Sequence, residues 1–188
     1  MTLFMKALRI CLTGRPGIGK TTVVMKVISD LRKKGLKIGG IFCPEERKEG
    51  KRVGFKIIDL LTGIEGWLAK VQGSQYCPPQ LTHGKYCIVL DDVIAIGVKA
   101  LKTAFHETDI IVIDEIGPME LKVPELRKEI INVLQGFNKP IIAVVHYRLR
   151  DQAIKRLLGA CKYYEVTYIN RNYLPLEILK LVLNTLKG

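Results

Sequence analysis

The chain has 188 residues, nearly half of them apolar, and carries 30 Lys and Arg against 18 Asp and Glu for a formal net charge of +12. That length suits one domain, 1–188, with a substantial core, and no apolar run approaches the eighteen or so residues of a membrane span, so a soluble, cytoplasmic protein with no membrane partner is expected. Its five cysteines (Cys11, Cys43, Cys77, Cys87, Cys161) include no Cys-x-x-Cys pair, and His83, His106 and His146 lack metal-ligand spacing, which argues for buried reduced thiols against a disulfide framework or a zinc site.

The opening MTLFMKAL is too short before the first strand to read as a signal peptide. Ala7 to Leu12 reads as a short buried strand, and Thr21 to Lys34 places Val23, Val24, Val27, Ile28 and Leu31 at helical spacing, with Gly35 at the C-cap position. Between them lies GRPGIGKTT, residues 14–22, which matches the scheme Gly, four residues, Gly, Lys, Ser or Thr. Strand, glycine loop, helix is the context that this phosphate-binding loop requires. Its backbone N–H groups converge on a phosphate, and the following helix adds the positive end of its dipole.

Leu36 to Cys43 predicts a second strand, followed by the charged loop PEERKEGKR. Val53 to Leu60 and Glu65 to Val71 then predict an antiparallel hairpin insertion, with Trp67 available to pack it onto the body or to stack on a base. GSQYCPPQLTHG reads as a loop, Tyr86 to Leu90 as a short strand, and Asp91 or Asp92 as the cap of a helix to about Thr103. Asp109 to Glu115 (DIIVIDE) is the pattern of a central parallel strand buried on both faces. A helix from Pro124 toward Gly136, a buried strand Pro140 to His146, a helix Asp151 to Leu158, a strand Lys162 to Thr167 and an amphipathic helix Leu176 to Lys187 complete the chain. Such alternation predicts a three-layer α/β fold with a mostly parallel sheet, its ligand at the carboxyl ends of the strands.

Phosphate chemistry also needs a held magnesium ion and an oriented water. Asp114, ending IIVID, fits the second phosphate-site motif and is a candidate Mg²⁺ ligand together with the Thr21 hydroxyl, while Lys20 suits the β and γ phosphates. Glu115 is a candidate to polarise the attacking water, because a strand end can turn neighbouring carboxylates to one side. Among arginines, Arg148 and Arg150 past the PIIAVVH strand are the better candidates to stabilise transferring charge, ahead of Arg15 and Arg171. No Asn-Lys-x-Asp signature is present, so loose base discrimination is expected.

The segments GRPGIGKTT, RVGFKIIDLLTG, LDDVIAIGVKAL, IIVIDEIGPMEL and VTYINRNYLP, in this order, resemble the cancer-related nucleoside-triphosphatases of archaea, thermophilic bacteria and animals. The resemblance implies a recombinase-like P-loop core, magnesium dependence and slow hydrolysis of several nucleoside triphosphates, ATP and GTP among them. It implies nucleotide contacts along Gly14, Arg15, Pro16, Gly17, Ile18, Gly19, Lys20, Thr21 and Thr22 and along Ile110, Ile111, Val112, Ile113, Asp114, Glu115, Ile116 and Gly117. Val123 departs from the small hydroxyl residue of the family, so the helix at Pro124 is expected to start without a side-chain cap.

Two rivals remain open on the sequence. One is a P-loop kinase passing the γ phosphate to a small acceptor held by the hairpin and the basic loop from Glu45 to Arg52. The other is a nucleic-acid-associated ATPase, motivated by the +12 charge. A monomer is favoured.

Overall fold

A computed structural model describes residues 8–74, 76–136 and 139–187; Ala7, the expected start of the first strand, lies outside them. Among the described residues ten strands form one sheet: β1 (Arg9–Thr13), β2 (Ile38–Phe42), β3 (Glu45–Lys48), β4 (Lys51–Asp59), β5 (Glu65–Val71), β6 (Thr82–His83), β7 (Tyr86–Ile88), β8 (Ile110–Ile116), β9 (Ile141–Val145) and β10 (Lys162–Glu165). Their order is β10-β1-β9-β8-β2-β4-β5-β7-β6, with β3 paired to β4 off this path. The first five strands of that order are mutually parallel. The remainder is antiparallel.

Alternation along the parallel strands builds the layers. Ile10, Leu12, Ile110, Val112, Ile142 and Val144 pack with Val24, Val27, Ile28 and Leu31 of α1 (Lys20–Lys33) and with Ile178 and Val182 of the terminal helix. Their neighbours Cys11, Ile111, Ile113, Ala143 and Val145 face the opposite way, onto Leu101, Leu126, Ile130 and Ile154. Side chains on a strand alternate in direction, so a strand apolar at every position must be covered twice. Each fully buried Ile or Leu here contributes about 1.5–3 kcal/mol.

The helices of the second face are α2 (Leu90–Asp92), which runs through a π-helical stretch (Val93–Val98) into α3 (Lys99–Glu107), then α4 (Pro124–Gln135) and α5 (Gln152–Leu158); α6 (Leu174–Lys187) joins α1 on the first. α4 starts at Pro124 with no side-chain cap, as Val123 led us to expect. α5 is capped by Asp151, whose Oδ1 accepts from Ile154 N–H at 3.0 Å. The same carboxylate takes Arg127 Nε of α4 at 2.7 Å, tying two helices together.

Three expectations need correction. Asp91 and Asp92 do not cap the helix: it begins at Leu90 after Val89, without a side-chain cap, because Asp92 Oδ2 instead accepts the Trp67 N–H at 2.7 Å. The charged loop is not only loop, since residues 45–48 pair with β4 through a two-residue turn at Glu49 and Gly50, both at positive φ. That strand is polar on both sides and showed no alternation. Cys77 and Cys87 are not thiols but form a disulfide, because the Pro79–Leu81 3-10 turn and the β6–β7 pairing bring the chain back upon itself over ten residues. Cys11, Cys43 and Cys161 are free.

Candidate functional site

The glycine loop leaves β1 at Thr13 and enters α1 at Lys20. Its glycines have a steric reason. A Cβ at Gly14, with φ +144°, would lie 2.8 Å from the Val166 carbonyl oxygen, and Gly19 caps α1 at φ 106° with no side-chain hydrogen bond. The first N–H groups of α1 therefore face outward with the positive end of the helix dipole. Lys20 Nζ donates to the carbonyls of Gly14 at 3.1 Å and Arg15 at 3.4 Å, which holds the ammonium across the loop.

A cavity of about 510 Å³ opens at this loop, at the carboxyl ends of the parallel strands. Pro16, Gly17, Gly19, Lys20, Thr21 and Thr22 form one wall; Asp114, Glu115, Glu120 and His146 form the other; Arg52 and His83 reach in from the antiparallel insertion. Asp114 and Glu115 share the cavity although they are consecutive on β8. The pairing with β9 shifts between Asp114 and Ile116, and such an irregularity re-aims side chains.

The acids are buried and crowded. Desolvation pushes Asp114 up to about 7, reinforced by the charge of Glu115 and opposed by the Thr21 hydroxyl and Lys20. Burial likewise raises Glu115 against the pull of Lys20. Glu120, 3% exposed, is pushed up to about 8, by burial first and the Glu115 charge second. Gly117 makes room for the pair: a Cβ there would lie 2.9 Å from Glu120 Oε2 and 3.1 Å from Glu115 Oε1. Burial also raises the Cys43 thiol, with the three carboxylates adding to it.

Asp114 Oδ2 is buried with no hydrogen-bond partner in the protein. An orphaned carboxylate oxygen beside a threonine hydroxyl suits a hard divalent cation, which takes oxygen donors from one or two carboxylates and completes its shell with phosphate and water. The donor set thus fits Mg²⁺.

His146 directly follows β9, its Nδ1 accepting the Arg148 N–H at 3.2 Å. That bond assigns the ring proton to Nε2. Desolvation, then Lys20, His83 and Arg148, lower its pKa and favour the neutral ring.

Of the residues expected at the site, the structure gathers Pro16, Gly17, Gly19, Lys20, Thr21, Thr22, Asp114 and Glu115 around one cavity. Ile110, Ile111, Val112, Ile113 and Ile116 lie in the core, as does Ile18; they carry the acidic pair and the loop. Arg148 is not in the cavity wall: it is exposed with its guanidinium 5.0 Å from the Tyr147 ring centre. Arg15 and Arg150 are also outside that wall, and the arginine that does line it is Arg52, paired with Glu45. Trp67 lies between Lys56 and Lys70, whose ammonium groups are 4.5 and 4.9 Å from its ring, away from the cavity. Glu120, in the GPMEL turn, is the next candidate for the base after Glu115, and Arg52 closes the basic loop that the kinase reading used; His146 and His83 were missed because no spacing unites them with the glycine loop. Only for His146 was there a signal, its place at the end of a buried strand on the rim.

The NTPase family model matches residues 9–179. The nucleoside-triphosphatase THEP1 of Thermofilum pendens is 42% identical over 179 residues, 94% of this chain and 96% of its own, and that of Methanosarcina acetivorans 45% over 172 residues, 91% and 94%. Similar solved structures include THEP1 from the hyperthermophile Aquifex aeolicus, with a TM-score of 0.80 at 26% identity over 93% of this chain and 99% of that one, and a human cancer-related nucleoside triphosphatase, with 0.79 at 28% over 95% and 98%.

Proposed function

The chain belongs to the NTPase family, and from that premise we propose that it is a Mg²⁺-dependent hydrolase of nucleoside triphosphates with little base preference, releasing diphosphate and phosphate. One observation carries the reading: Lys20, Asp114, whose buried Oδ2 has no hydrogen-bond partner, and Glu115 line a single cavity at the mouth of a glycine loop.

The loop N–H groups and the Lys20 ammonium hold the β and γ phosphates, where negative charge accumulates. Thr21 and Asp114 would hold Mg²⁺, which when bound supplies charge neutralisation to the phosphate oxygens. Glu115 orients a water toward the γ phosphorus and takes its proton as the new P–O bond forms and the β–γ bridge breaks. The neutral His146 donates from Nε2 to the γ-phosphate oxygens. Arg52 is better placed than Arg148 to approach the same oxygens, from the insertion. Glu120 accepts from its own N–H and that of Gly117 and lines the same cavity.

The protein is proposed to act as one domain and as a monomer in the cytoplasm. No helix among the described residues is long and apolar enough to cross a membrane.

The test is steady phosphate release from ATP, GTP, CTP and UTP with Mg²⁺ and no acceptor, abolished by a chelator. Release that starts only when an acceptor is added identifies the kinase instead. Stimulation by nucleic acid that fades steeply with salt marks the nucleic-acid-associated ATPase.

A further inference from the structure

The cavity gathers the groups that suit the phosphate end of a nucleotide. The sheet order gives the direction in which its nucleoside extends. The acidic pair of β8 lies on the β9 side of β1, and the glycine loop stands over β1 itself. A polyphosphate that starts at Glu115 and passes Lys20 therefore continues toward the other neighbour of β1, which is β10. The segment following β10 is fastened to the glycine loop. Val166 N–H donates to Thr13 O at 2.8 Å, the Val166 carbonyl closes against Gly14, and Arg171 Cδ comes within 3.8 Å of a Cβ placed on Gly19.

This segment exposes aromatic surface just there. Tyr168 is 73% exposed, and the Arg171 guanidinium stands 4.9 Å from its ring centre. Its backbone is held in shape: Thr167 N–H donates to Asn170 Oδ1 at 2.8 Å, Asn170 Nδ2 to Glu165 O at 2.7 Å, and Arg171 N–H to Thr167 O at 3.1 Å. A flat ring and a planar cation on a braced loop form a stacking surface that loses little freedom when a base settles on it. The Asn170 amide, the group best suited to read a base edge, is already engaged at both its oxygen and its nitrogen.

We propose that Tyr168 and Arg171, on the loop that follows β10, form the nucleobase platform of this enzyme, binding bases by stacking and without reading their edges. The proposal rests on the reading of the glycine loop as a nucleotide site. Adenine and guanine, with the same two-ring area, gain equally from it, and cytosine gains less.

The experiment measures dissociation constants by calorimetry, with Mg²⁺, for non-hydrolysable analogues of ATP, GTP and CTP and for inorganic tripolyphosphate, in the parent and in Tyr168→Ala and Tyr168→Phe. At 73% exposure, Tyr168 can be truncated without loss of the fold, checked by an unchanged Tm. Tyr168→Ala is expected to weaken both purine analogues by roughly tenfold, CTP less, and tripolyphosphate not at all, while Tyr168→Phe binds like the parent. Unchanged purine binding in Tyr168→Ala, or equal losses for purine nucleotides and tripolyphosphate, overturns the platform. So does a parent that binds tripolyphosphate as tightly as ATP, which leaves the phosphate site standing. A parent that binds neither overturns the nucleotide reading of the loop and the platform with it.

Discussion

Glu115→Gln separates catalysis from binding and from folding in one side chain. The substitution keeps the shape and the hydrogen-bonding reach of the side chain and removes only its capacity to take a proton as a carboxylate. A positioned general base contributes about 10²–10⁴ in rate, equivalent to about 2.7–5.5 kcal/mol of barrier, so single-turnover hydrolysis should fall at least a hundredfold. Mg²⁺ and triphosphate affinity should stay near the parental value, since Lys20 and the loop N–H groups are untouched. The structure adds an expectation for stability. The Glu115 charge is unfavourable to both other buried acids, Asp114 and Glu120, so removing it relieves like-charge crowding and the ligand-free Tm should be no lower than the parent's. Rapid-quench hydrolysis, calorimetric binding and thermal unfolding read the three quantities. Hydrolysis at the parental rate refutes the assignment and moves the base to Glu120, which lines the same cavity. A large fall in Tm would refute the crowded-acid reading on its own.

Asp114→Asn should weaken Mg²⁺ dependence as well as rate, seen as a rightward shift of the Mg²⁺ titration of phosphate release, because the unpaired Oδ2 is the proposed donor; a parental Mg²⁺ midpoint counts against it. Lys20→Ala should abolish most nucleotide affinity or turnover in a protein of unchanged circular dichroism, and unaltered binding and turnover would remove the loop from the mechanism. Asp151→Ala should cost about 1 kcal/mol in urea unfolding through the lost cap of α5, whereas Asp151→Asn retains the cap and loses only the partly exposed pair with Arg127, well under that amount. The Arg127 guanidinium, aided by the Ile154 N–H, holds Asp151 below its usual carboxylate range, so its contribution is complete at neutral pH and fades as the pH falls below about 4 and through the depressed value. Equal destabilisation by Ala and Asn would place the whole effect in the pair.

The parallel core was written locally. In IIVIDE each position is apolar until the carboxylates, and a strand buried on both faces admits no other pattern, so β8 and its acidic end could be read one residue at a time. The glycine loop was as direct, because its requirements are the absence of side chains at Gly14 and Gly19 and a lysine next to the helix start. Pro124 and Val123 together foretold a helix beginning without a side-chain cap, and α4 begins so. These are properties of single residues and their immediate neighbours.

What tertiary structure decided is which distant residues meet. The strand at 45–48 exists through cross-strand partners and an ion-paired Glu45, and a segment polar on both faces carries no period to reveal it. Cys77 and Cys87 meet because a turn and a two-strand ribbon fold between them, which no motif of fixed short spacing describes. The cavity wall joins Arg52, His83, Glu120 and His146 from four separate stretches of chain, and it leaves Arg148 outside although Arg148 stands two residues from His146, because the turn after β9 lays its guanidinium on Tyr147. The amino-acid sequence by itself determined the glycine loop, the acidic strand end and the layered core, since each is satisfied by local stereochemistry and burial pattern; the composition of the cavity around them depended on sheet order and on how the insertion meets the carboxyl ends of the strands, which are set by long-range packing.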